Sequence, residues 1–156
     1  MGGNYHLRWS AKTKNGRILE EFLTDKENAS RFKNKIVVEC SKAGKAIEDE
    51  VHECIGSLAA KKEQNIVFSF QQLNSENDNE VWVEYVQGNV QGGQPFVMEW
   101  NLNRYVKLDD RVLLLRFIRR AYNKEYDSFL KDVNKNRIEW IEKISLVKLS
   151  DLSIVE

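Results

Sequence analysis

The sequence predicts an α+β fold in which a mostly antiparallel sheet is packed by helices, and three observations support this prediction. Apolar and polar residues alternate with a period of two near the N-terminus and again across residues 66–102. Apolar residues recur at helical spacing in residues 29–62 and 108–133. The connections between the predicted strands are short and rich in turn-forming residues, which favours antiparallel neighbours. We therefore expect an N-terminal hairpin and a three-stranded meander, covered by two central helices and a long C-terminal helix.

The N-terminal hairpin is predicted over residues 4–23 because Asn15 and Gly16 tolerate the positive φ angles of a tight turn. A two-residue turn at this point places Trp9 opposite Phe22. The opposite face of the hairpin is polar, which indicates an antiparallel pair with one solvated side. The expected apolar face collects five side chains: Tyr5, Leu7, Trp9, Ile18 and Phe22.

Two central helices are predicted next. Residues 24–27 (TDKE) match a capping box, and apolar residues follow at helical spacing as far as Gly44. The alternative is that residues 35–40, which include three β-branched side chains, form a strand. The second helix, residues 47–62, has an apolar stripe, acidic early turns at residues 48–53 and basic residues at its end, as the helix dipole favours.

Three strands are predicted at residues 66–71, 81–86 and 96–102, where alternation is regular. Glu84 and Glu99 fall on neighbouring strands of this meander, and two nearby carboxylates are the minimum for a metal or acid/base site. Exposed glutamates on a solvated sheet face are the simpler interpretation. A shorter helix carrying Trp140 and an edge strand within residues 146–155 complete the expected secondary structure.

The long C-terminal helix is predicted over residues 108–133, with Asp109 as its N-cap and a broad apolar face in the core. The other side of this helix carries a compact basic row with one aromatic residue, and we interpret it as the candidate partner-binding site. Internal pairing of the row with the acidic residues 48–53 is the competing explanation. The candidate residues are Arg116, Phe117, Arg119, Arg120 and Lys124.

Composition limits the classes of function. The 156 residues contain 24 basic and 24 acidic side chains, so an overall polyanion-binding signature is absent. No apolar run approaches eighteen residues and no secretory signal is recognisable, which predicts a cytoplasmic protein without a membrane span. Cys40 and Cys54 lack metal-binding or redox spacing, and we expect both to be reduced. Residues 1–156 are expected to form a single domain.

Motifs of catalysis or cofactor binding are absent from the sequence. His6 and His52 are the two histidines, and neither has a partner at the spacing of a metal site or a nucleophile–base pair. Gly88, Gly92 and Gly93 do not form a phosphate-binding loop, because no helix follows them. We therefore expect no cofactor and no metal.

These observations favour a small non-enzymatic protein-interaction module of the inhibitor, immunity or adaptor type. Aromatic residues and arginines are the types that anchor protein interfaces, and Phe117 beside three basic residues fits this role. A second copy of the chain is the other protein partner that Phe117 would contact, and the protein would then be a homodimer. The alternative function is nucleic-acid binding through the basic face of helix 109–133. A metal-dependent hydrolase using Glu84 and Glu99 is the third hypothesis.

Overall fold

The computed structural model describes residues 4–91 and 94–149, and its strands form one antiparallel sheet in the order β1-β2-β3-β7-β6-β5-β4. Two helices flank this sheet, and a short 3₁₀ helix (Asn123–Glu125) leads into the second of them. The elements follow the chain as β1 (Tyr5–Lys12), β2 (Ile18–Thr24), β3 (Asn34–Cys40), α1 (Ile47–Glu63), β4 (Val67–Leu73), β5 (Glu80–Gln91), β6 (Gln94–Leu108), β7 (Arg111–Tyr122) and α2 (Tyr126–Ser145).

The prediction of one helix over residues 108–133 was wrong. Its first half forms strand β7, and α2 begins only at Tyr126. Asp109 does not cap a helix: its φ angle is 53°, and it lies in the two-residue turn between β6 and β7. The physical reason for the error is that β7 is buried on both faces, so its nearly continuous apolar run lacks the polar side that identifies a strand.

The first of the two predicted central helices was also wrong, and the alternative of a strand at residues 35–40 is confirmed by β3. Thr24 and Glu27 contact each other through their side chains, but they close an irregular segment rather than a helix. The Thr24 hydroxyl donates to the Glu27 carboxylate at 2.6 Å, which also accepts the backbone N–H of Lys33 at 2.6 Å. The second predicted helix is present as α1.

The N-terminal hairpin is confirmed, but its predicted register was wrong. Trp9 lies opposite Glu21, whereas Leu7 lies opposite Phe22, and a bulge between Leu7 and Trp9 shifts the pairing. The turn is also longer than predicted, because the backbone N–H of Thr13 donates to the Arg17 carbonyl at 2.8 Å. This shift removes Trp9 from the apolar face on which Phe22 lies.

The meander contains four strands, β4 to β7, rather than the predicted three, and β7 pairs with β3 to join it to the N-terminal strands. One long crossover through α1 therefore carries the chain from β3 to the far edge at β4. The predicted edge strand at residues 146–155 falls largely on residues 150–156, which lie outside the described residues.

The two faces of the sheet carry separate cores. On the α2 face, the side against which α2 packs, the Trp100 ring lies 5.3 Å from Trp140 and 6.1 Å from Phe117, centroid to centroid. On the α1 face, the opposite side, apolar residues of α1 cover part of the sheet. Phe32, from the segment between β2 and β3, covers another part of the α1 face through contacts with Leu23, Val37 and Ile118. Tyr5 of β1 packs against the core on the α2 face, whereas Leu7 and Trp9 of the same strand are about half exposed.

The segment that carries Phe32 gives a pH prediction at Glu27. Burial raises the pKa of Glu27, but hydrogen bonds from Thr24, Lys33 and Asn34 outweigh this and lower the pKa below its usual value. The folded state then gains stability above the ordinary glutamate pKa and loses it as the pH falls through the lowered value. We expect Glu27→Gln to be less stable than the wild type at pH 7, with the difference shrinking below about pH 4.

Urea unfolding of the wild type and of Glu27→Gln at several pH values measures this difference. Glu76→Gln, in an exposed turn, is the matched control and should follow the wild type throughout. A difference between wild type and Glu27→Gln that stays constant from pH 7 to about pH 3 would contradict this role of Glu27.

Candidate partner-binding surface

The basic residues predicted as one row are divided between the two faces of the sheet. Because they lie on strand β7 and not on a helix, side chains alternate in direction with a period of two. Arg116 and Arg120 lie on the α1 face, and Phe117 and Arg119 lie on the α2 face. Lys124 lies beyond the strand, in the 3₁₀ helix. The structure therefore does not bring the five predicted residues together, and the basic face of a helix 109–133 does not exist.

Phe117 is a core residue. It is 1% exposed and contacts Trp100 edge to face. Its predicted position on the surface was wrong, because the helical spacing that turned it away from the apolar face does not apply to a strand. A surface anchor for a partner or for a homodimer must therefore be another residue.

Arg119 joins α2 to the sheet. Its guanidinium forms an ion pair with Asp132 at 3.1 Å and lies 4.0 Å from the centroid of the Trp140 ring. Burial lowers the pKa of Arg119, and the nearby Asp132 opposes this shift. Both partners belong to α2, so these contacts hold the helix in place on the α2 face.

Arg120 is also paired. Its Nε donates to the Glu99 carboxylate at 2.7 Å, and its guanidinium lies 3.9 Å from the centroid of the Phe32 ring. The second oxygen of Glu99 accepts from the Gln87 amide at 2.7 Å. Arg120 therefore supports the segment that covers the sheet rather than facing a ligand.

The acidic turns of α1 have other partners. Glu50 accepts from Arg17 at 2.8 Å, and Glu53 forms an ion pair with Lys45 at 2.9 Å. Internal pairing therefore does account for Arg119 and Arg120, but the proposed pairing with residues 48–53 was wrong. The first turns of α1 instead fasten the helix to the β1–β2 turn through Arg17.

Glu84 and Glu99 do not form one site. Their registers place Glu84 on the α2 face and Glu99 on the α1 face. Glu84 accepts three hydrogen bonds, each at 2.7 Å, from Trp100 Nε1, Gln71 Nε2 and Arg137 Nη2. In the described ranges no group of three or more His, Cys, Asp or Glu side chains could hold a metal ion.

An open cleft of about 1730 Å³ lies between the segment before β3 and the beginning of α2. Its wall carries basic side chains, including Lys26 and Lys33, and acidic ones, including Glu125 and Asp127. Since neither sign of charge dominates, the cleft does not select a class of ligand by electrostatics.

Strand β1 carries the most exposed tryptophan of the described residues. Trp9 is 50% exposed and Leu7 is 48% exposed, whereas Trp82, Trp100 and Trp140 are buried. Within the described part of the chain, β1 forms hydrogen bonds with β2 on one side only and leaves its other edge open. The alternation of apolar and polar residues predicted that Trp9 lies on the apolar face of the hairpin, and it did not indicate that this side chain is exposed.

The strand of Trp9 contains His6, Arg8 and Lys12 and no acidic residue. Trp9 itself lies opposite Glu21 of β2. Arg8 forms an ion pair with Asp25 at 3.1 Å, and His6 Nε2 lies 3.4 Å from the same carboxylate. The edge thus combines an open hydrogen-bonding row, two exposed apolar side chains and basic side chains, of which Arg8 is paired with Asp25.

Comparisons with other proteins identify a family for this chain but do not indicate an activity. No helix in residues 4–91 or 94–149 is both long and apolar enough to cross a membrane. No curated protein and no solved structure matches the chain. One family model, of an uncharacterised family, matches residues 1–149. Because this match covers nearly the whole sequence, the chain belongs to that uncharacterised family.

Proposed function

We propose that this protein is a small, cytoplasmic, non-enzymatic interaction module that binds a protein partner along the open edge of β1. The observation that supports this proposal is the half-exposed Trp9 on that edge. Tryptophan is among the residue types that contribute most to binding energy at protein interfaces. An exposed indole on an unpaired strand therefore provides both a side-chain anchor and a backbone template.

The expected mode of binding is addition of a strand. An open edge presents a row of backbone N–H and C=O groups, and an extended segment of a partner completes these hydrogen bonds. Pockets for the partner's side chains then give specificity, beside Leu7 on one face of the sheet and beside Trp9 on the other. Because β1 carries basic side chains and no acidic one, an acidic segment matches it better than a second copy of β1.

Replacement of Trp9 tests this proposal. We expect Trp9→Ser to weaken capture of a specific partner from native lysate by at least about tenfold, since loss of a central interface tryptophan typically costs 2 kcal/mol or more. The immobilised variant and wild type are compared by quantitative mass spectrometry of the proteins they retain. Phe96→Ser is the matched control, because Phe96 is similarly exposed at 49% but lies away from β1.

Equal loss of a captured protein with Trp9→Ser and with Phe96→Ser would contradict a specific role of β1. Light scattering of the purified protein examines the homodimer alternative. A dimer that Trp9→Ser converts to a monomer would identify a second copy as the occupant of this edge and would contradict the acidic partner.

A further inference from the structure

Arg116 is one of the predicted partner-binding residues, and no carboxylate of the described residues forms an ion pair with it. It lies on the α1 face of β7, where its Nε donates to the Asn103 side-chain oxygen at 3.0 Å. No carboxylate of the described residues lies within ion-pairing distance of its guanidinium. Two carboxylates on the same face have other partners: Glu39 binds Arg17 at 2.6 Å, and Glu99 binds Arg120. The remaining guanidinium N–H groups of Arg116 therefore have no anionic partner among the residues that the structure describes.

Asn101 provides an independent observation at the same place. Its side chain is 1% exposed, and Nδ2 has no hydrogen-bond acceptor among the residues that the structure describes. Burial of an amide without a hydrogen bond is unfavourable by roughly 1–3 kcal/mol. Asn101 is the diagonal neighbour of Arg116 in the β6–β7 register, so the two side chains start about 7–8 Å apart on one face.

Two tyrosines complete the surroundings. Tyr85 lies directly opposite Asn101 on β5, and the Tyr105 hydroxyl accepts from the Asn103 amide at 3.2 Å. Burial raises the pKa of both phenols, so both are neutral at physiological pH. Neutral phenols can donate a hydrogen bond and do not neutralise a cation.

Arg116 remains charged at this position. Burial lowers its pKa, but the negative charges that Tyr85 and Tyr105 acquire on ionisation, together with those of Glu39 and Cys54, outweigh this effect and raise the pKa. The region is thus rich in hydrogen-bond donors, and its one guanidinium has no direct ion pair with a carboxylate of the described residues. A guanidinium matches the two oxygens of a carboxylate or phosphate with two parallel N–H bonds.

We propose that Arg116 and Asn101 form a binding site for a small oxyanion, the carboxylate or phosphate group of a ligand. The anion would accept from the guanidinium Nη groups of Arg116 and from Asn101 Nδ2, two sets of donors that have no acceptor among the described residues. This site lies on the α1 face between α1 and the Phe32 segment and does not depend on the proposed role of the β1 edge.

A titration of the ¹⁵N-labelled protein followed by NMR tests this site. Sodium acetate and sodium phosphate are added separately, and sodium chloride keeps the ionic strength constant. We expect saturable shifts of the Asn101 and Asn103 side-chain amide signals and of the Arg116 Nε–H signal. Arg116→Met should weaken the affinity at least tenfold, whereas Arg31→Met, which removes an exposed arginine, should leave it unchanged.

Each outcome bears on the proposal. Saturation by acetate alone, by phosphate alone or by both supports the site and identifies the oxyanion. Shifts centred elsewhere, an affinity that Arg116→Met does not change, or no saturable shift with either anion would overturn it. Should Arg116→Met fail to fold, the map of shifts in the wild type decides, because it requires no variant. Trp9→Ser should retain the same shifts, which separates this site from partner binding at β1.

Discussion

Phe117→Ala is expected to lower the free energy of unfolding by about 3–5 kcal/mol. Phe117 is 1% exposed and contacts Trp100 in the core beneath α2. Truncation removes buried apolar surface and leaves a cavity that the neighbouring strands cannot fill, because Leu102 and Ile36 lie directly opposite Phe117 on either side. The same substitution on the exposed side of a helix would cost far less.

Equilibrium urea unfolding measures this loss. Phe96→Ala is the matched control, because it removes the same atoms from a side chain that is 49% exposed. We expect the control to remain within about 0.5 kcal/mol of the wild type. Similar, small losses for both variants would place Phe117 on the surface and contradict its position in β7.

Glu84→Ala is expected to lower the free energy of unfolding by a similar amount, about 3–5 kcal/mol. The buried carboxylate accepts hydrogen bonds from Trp100, Gln71 and Arg137, which link β6, β4 and α2 to β5. Removal of the acceptor leaves the buried Trp100 indole N–H unsatisfied and the partly buried Arg137 without its ion pair.

Thermal and urea unfolding compare Glu84→Ala with Glu139→Ala, whose carboxylate forms a solvent-exposed pair with Lys143 on the same helix. We expect the control to leave the unfolding midpoint nearly unchanged. Glu84→Gln should fall between wild type and Glu84→Ala, since its amide oxygen still accepts a hydrogen bond although the charge is lost. A loss no greater for Glu84→Ala than for Glu139→Ala would contradict the structural role of Glu84.

Local patterns in the sequence predicted the elements that have one apolar and one polar side. In sequence, the hairpin, α1 and the strands around residues 66–71 and 96–102 are of this kind. Strand β7 is not, because Val112, Leu113, Leu114 and Leu115 are buried in succession, on both faces. An apolar run of this kind fits a buried strand and a helix equally well, and only its pairing with β3 and β6 distinguishes them.

The candidate surface was harder to predict, because exposure depends on which strand lies at the edge of the sheet. Nothing in its immediate sequence distinguishes Trp9 from Trp100, and both occur in alternating segments. Trp100 lies on the central strand β6, and Trp9 lies on the edge strand β1 because β3 pairs with the distant β7. This long-range arrangement likewise determines which acidic residues pair with Arg119 and Arg120, and spacing along the chain does not.

Hydrogen–deuterium exchange of this protein bound to its captured partner tests the central claim, that partners bind at the edge of β1, most directly. The claim predicts slower exchange of backbone amides in Tyr5–Lys12 on binding, with exchange around Phe96 unchanged. Protection confined to another surface, with exchange in β1 the same in the free and bound protein, would contradict it.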